Sequence, residues 1–311
     1  MTQFSLRKTA LGLALALLTA SPLLAHGATV DALLGPGINL LSDNNAESLI
    51  NADGSPAGPA DSTLDVGDSV RGIFSINTIE PIGAGLPEVV IGGGTGNNEL
   101  TGIFQFTVAS KFAPADIGNP SPGDFFFTFA ADPAFATELD TYANVPFSAL
   151  ELAGTMIAVF EDPANNYFRT GASQAANETS AIGGTFRAAL GLSAPGDFFQ
   201  TAANTDDILV VQSIPAPGNG GTTNLGLTFL LETFAHDFAA VNCLDPTSGL
   251  TLVGICGSTS LLGTGGAVTA WDVFTDTNFT INVAQVPEPG TLALLGAIVF
   301  GAGWLRQRRI A

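Results

Sequence analysis

Leu100-Thr101-Gly102-Ile103-Phe104-Gln105-Phe106-Thr107-Val108 sets the class of the fold. Phe104, Phe106 and Val108 fall on one face, with Thr101, Gln105 and Thr107 among the residues on the other. A period of two belongs to an extended chain, whose successive side chains point to opposite sides. The reading is a half-buried strand. Working outward, residues 70–79 (VRGIFSINTI) carry the same β-branched and aromatic bias after an approach rich in Asp, Gly and Ser. Further strands are expected at 125–129, 155–160, 185–192, 208–213, 225–232, 250–255, 267–274 and 279–286. Between them stand turn-forming clusters such as Asn51-Ala52-Asp53-Gly54 and the glycine-rich stretch 92–98. Many short strands between Gly, Pro and Asn turns indicate an all-β protein, with a β-sandwich or jelly-roll-like core. One short helix is expected from Asp132-Pro133 to about Leu139, with Asp as N-cap and Pro in the first turn.

Pro122-Gly123-Asp124-Phe125-Phe126 returns as Pro195-Gly196-Asp197-Phe198-Phe199. Duplication of a half-domain gives such a pair, and so do two similar turns that each lead into a strand. No second segment repeats at that spacing, so residues 28–285 are taken as one extracellular β domain.

The two ends read as addresses. Arg7-Lys8 precedes an apolar stretch from Ala10 to Ala20, then Ser21-Pro22 and small residues. This is the layout of a secretory signal peptide over 1–27, cleaved after Gly27. At the other end, Pro287-Glu288-Pro289 leads into the uncharged run 291–305, and Arg306, Arg308 and Arg309 close the chain. Prolines keep the approach extended, and lipid forces the apolar run to be helical. The arginines hold their end in the cytoplasm. As a helix the run 291–305 reaches only about 22 Å, against roughly 30 Å of hydrocarbon, which suits a temporary anchor.

Residues 286–311 resemble the PEP-CTERM sorting signal of bacterial surface and matrix proteins. The resemblance implies an exosortase-like membrane protease as processing partner, after delivery by the secretion machinery. It also implies a transient stay in the membrane, then the cell surface or extracellular matrix, and a link to exopolysaccharide and biofilm. It implies nothing about the domain that is delivered.

With both ends set aside, the domain holds twenty-seven acidic and four basic side chains, the latter being Arg71, Lys111, Arg169 and Arg187. Such a surface repels nucleic acid and anionic lipid, so neither is an expected partner. Cys243 and Cys256 bracket the turn-rich stretch Leu244-Asp245-Pro246-Thr247-Ser248-Gly249 in a segment bound for an oxidising compartment, and a disulfide closing a local loop is expected.

Chemistry is sparse. His236 is the one histidine well inside the domain, and Gly67-Asp68-Ser69-Val70 is similar to the nucleophile block of the GDSL hydrolases. The acid that such enzymes place just ahead of the catalytic histidine is missing, since Thr233 stands there. No nucleophile elbow or phosphate-binding loop occurs, and no carboxylate pair is singled out for glycoside hydrolysis. No catalytic residue is assigned and no cofactor is expected beyond a structural calcium ion, for which Asp53, Asp61, Asp65 and Asp68 are the weak candidates. Trp271 lies in an apolar stretch and reads as core rather than as a sugar platform. The expectation is an exported, non-enzymatic surface or matrix protein. A glycan- or calcium-binding module is the alternative, and a hydrolase stands third.

Overall fold

The computed structural model describes residues 28–113, 125–171, 173–214, 219–263 and 270–284. The signal peptide, the sorting tail with its span 291–305, and Pro122 to Asp124 of the first near-repeat lie outside them.

The described chain is mostly strand. Its first half holds β1 (Gly37–Ile50), β2 (Ser69–Glu80), β3 (Val89–Val90), β4 (Glu99–Phe112), β5 (Phe125–Ala131) and β6 (Thr155–Asp162). The second half holds β7 (Thr185–Gly191), β8 (Phe198–Ala203), β9 (Asn219–Glu232), β10 (Phe238–Ala239), β11 (Val241–Asp245), β12 (Gly249–Val253), β13 (Ile255–Leu262) and β14 (Val273–Val283). Among the described residues there are also four short α-helices, α1 (Val30–Leu33), α2 (Pro133–Leu139), α3 (Gln174–Ala181) and α4 (Ile208–Gln212), and one turn of 3-10 helix at Ile82–Ala84. Among the described residues no helix is long and apolar enough to cross a membrane.

Pairing closes the sheet on itself. β2 lies between β1 and β4, β14 lies between β1 and β13, and β13 pairs with β9. The long strand β4 carries β6 along Glu99–Phe104 and β5 from Phe106 onward, both on the edge away from β2. In the same way β9 carries β8 over Gly221–Gly226 and β7 over Thr228–Glu232. Because β6 pairs with β7 and β5 with β8, the ring is complete. Two of its staves are therefore strands interrupted by excursions, at 132–154 and 192–197. Every pairing is antiparallel, and successive staves are neighbours.

This sharpens the expected sandwich or jelly roll into a closed meander. A jelly roll needs connections that cross between sheets, whereas here the last strand simply pairs with the first. Closure removes the free edges that would otherwise template aggregation.

Glycines let the wall close over aromatic rings. Gly72 sits opposite Phe104 and Gly102 opposite Phe74. A Cβ on either glycine would lie 2.3 Å from the facing ring. The inward set, including Phe74, Phe104, Phe106, Phe127, Phe129 and Phe199, forms the barrel core. Phe106 packs against Phe199 at 4.4 Å and Phe129 at 4.8 Å between ring centroids.

A second core lies outside the wall. Ile73, Ile103, Ala158, Phe160 and Phe186 point outward and are covered by Phe135, Leu139, Leu152, Ala181 and the buried Trp271. Arg71 pins this layer. Its guanidinium donates to Glu138 on α2 at 2.7 Å, to Glu178 on α3 at 2.8 Å and to Gln105 at 2.6 Å. The strand expected to be half-buried is thus buried on both faces, because the helices cover Thr101, Ile103 and Gln105.

Other expectations fare differently. α2 starts as foreseen, with the Asp132 side chain accepting from the Ala134 N–H. Residues 208–213 are not a strand: Asp207 caps the N–H of Leu209 and starts α4. Segment 250–255 breaks at Gly254 into β12 and β13; of the strand expected at 267–274, residues 267–269 lie outside the described residues, 270–272 are not strand, and β14 begins at Val273. The Cys243–Cys256 disulfide is formed, with Cα atoms 5.4 Å apart, and fastens the β11–β12 hairpin to β13. Asp197, from the second near-repeat, accepts the N–H groups of Ser193 and Ala194, which is ordinary turn chemistry.

Candidate functional site in the barrel interior

An eight-stave barrel is just wide enough to be filled by its own side chains or to hold one small ligand. This one is filled at one end and leaves a cavity at the other. Beneath α1 the interior is packed with aliphatic residues such as Leu41, Ile76, Leu227, Ile255 and Ile281 around a residual space of about 50 Å³. Toward the other end lies a larger cavity of about 120 Å³. That approaches the roughly 150 Å³ of an apolar cavity known to accept benzene.

Register builds the cavity. Thr277 on β14 stands opposite Thr259 on β13, Thr259 opposite Thr223 on β9, and Thr223 opposite Thr201 on β8. Since inward positions recur every second residue, four hydroxyls share one belt of the inner wall. Thr201 and Thr223 are hydrogen-bonded at 2.6 Å. The belt continues onto β1, where Asp43, Asn45 and Glu47 take successive inward positions. Asn45 donates to Thr277 Oγ1 at 2.7 Å and to Thr275 Oγ1 at 2.9 Å. Thr275 in turn donates to Glu47 at 2.7 Å, and the Thr277 N–H donates to Asp43 Oδ1 at 2.8 Å. Phe74, Phe104, Phe106, Phe127, Phe129 and Phe199 line the rest. The cavity therefore has one polar and one aromatic side.

Its electrostatics are unusual. Burial pushes Glu47 up to about 7, against a smaller opposing effect of the Thr275 hydrogen bond. Burial likewise holds Asp43 well above the usual carboxylate range, with the charges of Glu47 and Asp276 acting the same way and the Thr277 bonds opposing. Among the described residues, Asp43 Oδ2 and Asn45 Oδ1 are buried without a hydrogen-bond partner. Leaving the Asn45 amide oxygen unpaired costs about 1–3 kcal/mol, and Asp43 Oδ2 joins it as an acceptor when the carboxyl is ionised, so an occupant that donates and carries positive charge is favoured there.

A lid closes this end. Leu64, Asp206, Ile208 and Val211 border the cavity from the 61–68 loop and α4. The two lid segments are joined by Leu64 N–H to Asp206 O at 2.8 Å and Ile208 N–H to Ser62 O at 2.7 Å. Lys111 bridges them, 2.8 Å from Asp65 and 2.6 Å from Asp206. Gln212 on α4 also donates to Asp272 at 2.7 Å.

The residues singled out from sequence lie elsewhere. Asp68 accepts the N–H groups of Ala52 and Asp65, Asp53 caps Ser55, Asp61 accepts from Thr63, and Asp65 is paired with Lys111. These carboxylates organise turns around the lid, and no group of three acidic, His or Cys side chains among the described residues is placed to hold a metal ion. Ser69 bonds to Asp132 and Thr107, while His236 contacts Asp31, so the two share no partner. The cavity residues were missed because a threonine on a strand signals nothing until register places four of them side by side. Compared with known family models, curated proteins and solved structures, the chain matches none of them.

Proposed function

We propose that this chain is an exported, non-enzymatic binding protein whose β domain takes a small molecule into the barrel. The observation that carries the reading is the cavity itself: an aromatic wall across from a polar one that includes Asp43 and Asn45, each with a buried oxygen lacking a partner. Small-molecule sites combine an apolar lining with a few placed polar groups, and this one does so at a size close to benzene. A polysaccharide strand does not fit inside a closed ring of this width. Any contact with extracellular polysaccharide belongs to the outer surface.

The ends of the sequence supply the address. Delivery by the 1–27 signal, transient anchoring through 291–305 and processing near Pro287-Glu288-Pro289 by an exosortase-like protease would place the domain at the cell surface or in the matrix. The disulfide is in keeping with an oxidising destination. Mass analysis of the exported protein tests this part. Loss of Arg306, Arg308 and Arg309 is expected, and intact Arg309 on surface material would sink it.

Binding is tested by calorimetry and ligand-observed NMR with benzene and toluene as cavity probes. Saturable binding is expected in the wild type and its loss in Thr223→Phe, where the added ring fills the space. A flat response to both probes contradicts the proposal.

A further inference from the structure

Two carboxyl groups line the same cavity, Asp43 buried and Glu47 half-buried, and neither has a cation. Arg71 is held by Glu138 and Glu178, Lys111 by Asp65 and Asp206, and Arg187 by Asp31 and Glu161. Arg169 lies over the ring of Phe274 at 5.0 Å and reaches the backbone oxygen of Asn45, outside the barrel. All four basic side chains of the domain are thus committed elsewhere.

Buried carboxylates in proteins are normally paired, because an isolated one is costly. Asp43 is 4% exposed and Asn45 6%, and their unpartnered oxygens belong to neighbouring inward positions on β1. One group with several N–H donors and a positive charge would satisfy both oxygens and compensate the carboxylate. Facing it, the aromatic wall offers contact for an apolar body and ring faces that attract cations. A carboxylate or phosphate ligand would meet like charge at the same place.

Resting on the binding reading above, we infer that the cavity selects a small organic cation, a primary ammonium on a short apolar body, with its N–H groups on Asp43 Oδ2 and Asn45 Oδ1 and its body against the phenylalanines. The strongly acidic domain surface draws such cations toward the barrel. The charged groups around the site are Asp43 and Glu47 on β1, Asp276 on β14, and Asp206, Asp65 and Lys111 at the lid. Because Glu47 ionises near 7, affinity for an alkylammonium, which stays protonated across that range, should rise through it.

The test uses the secreted domain with n-butylammonium, its neutral isostere 1-butanol, and benzene, by calorimetry at pH 6 and pH 8. The expected result is that n-butylammonium binds at least about tenfold more tightly than 1-butanol at pH 8, a difference of about 1.4 kcal/mol. That preference should vanish in Asp43→Asn/Glu47→Gln, which removes the carboxyl charge and is expected to fold; Glu47→Gln alone should weaken the pH dependence, leaving only what Asp43 contributes. If 1-butanol or benzene binds and n-butylammonium binds no better, the ammonium inference is overturned while the cavity remains a binding site. If none of the three binds, both readings fall.

Discussion

The two halves of the barrel interior are built on the same strands and do opposite things. Along β9, Leu227 points into packed aliphatic core, while Leu225 and Thr223 on the same face border the cavity. Along β14, Ile281 and Phe279 give way to Thr277 and Thr275. One end of the ring therefore supplies stability through dense apolar packing. The other gives up some of that packing and carries buried carboxyls whose ionisation opposes folding. A tube filled uniformly with leucine and phenylalanine would be more stable, so the polar half calls for an explanation in function.

Truncation should expose the difference most strongly. Leu227 is fully buried, and Leu227→Ala is expected to cost about 2–5 kcal/mol in urea denaturation. A cost below about 1 kcal/mol would mean that the lower half is not packed as described. Reducing the Cys243–Cys256 bond, or replacing both residues by Ser, removes a clip lying outside either half. About 3 kcal/mol should be lost from stability with benzene affinity unchanged once folded.

Glu47 sharpens the comparison through pH. Its folded value lies above its unfolded one, so the folded state holds the proton more tightly. The stabilisation is complete below about pH 4.5 and is lost as pH rises through about 7. A shift from 4.5 to about 7 corresponds to about 3 kcal/mol lost at alkaline pH. Glu47→Gln should therefore gain stability relative to wild type as pH rises from 4 to 8, up to about that amount. Equal pH profiles for the two proteins would remove the carboxyl from the buried half. The smallest effect is expected at Thr223→Val, which loses the 2.6 Å hydroxyl bond to Thr201 and should cost about 0.5–1.5 kcal/mol while altering probe affinity.

Much of this fold was legible in the sequence. Alternation located β4, and β-branched and aromatic runs between turn signals located β2, β5, β6, β7, the later half of β9 and the end of β14. The Asp132-Pro133 cap and the cysteine pair were read from local chemistry that needs no tertiary context. β1 escaped because its inward face carries Asp43, Asn45 and Glu47, which resemble a polar loop. α4 escaped because Ile-Leu-Val-Val at 208–211 has strand propensity, and only its position over the barrel mouth and the Asp207 cap settle it as helix. The carboxylates chosen by density, Asp53, Asp61, Asp65 and Asp68, are turn caps and lid contacts, whereas the cavity carboxyls are spaced along a strand. Closure of the ring and the threonine belt depend on cross-strand register, which one sequence does not encode locally.

The central claim, that polar groups and carboxyls sit inside a closed barrel, is tested most directly by NMR titration of the Glu47 side-chain carboxyl carbon in the folded protein. A midpoint near 7 is expected. A midpoint near 4.5, the value of a solvated glutamate, would contradict it.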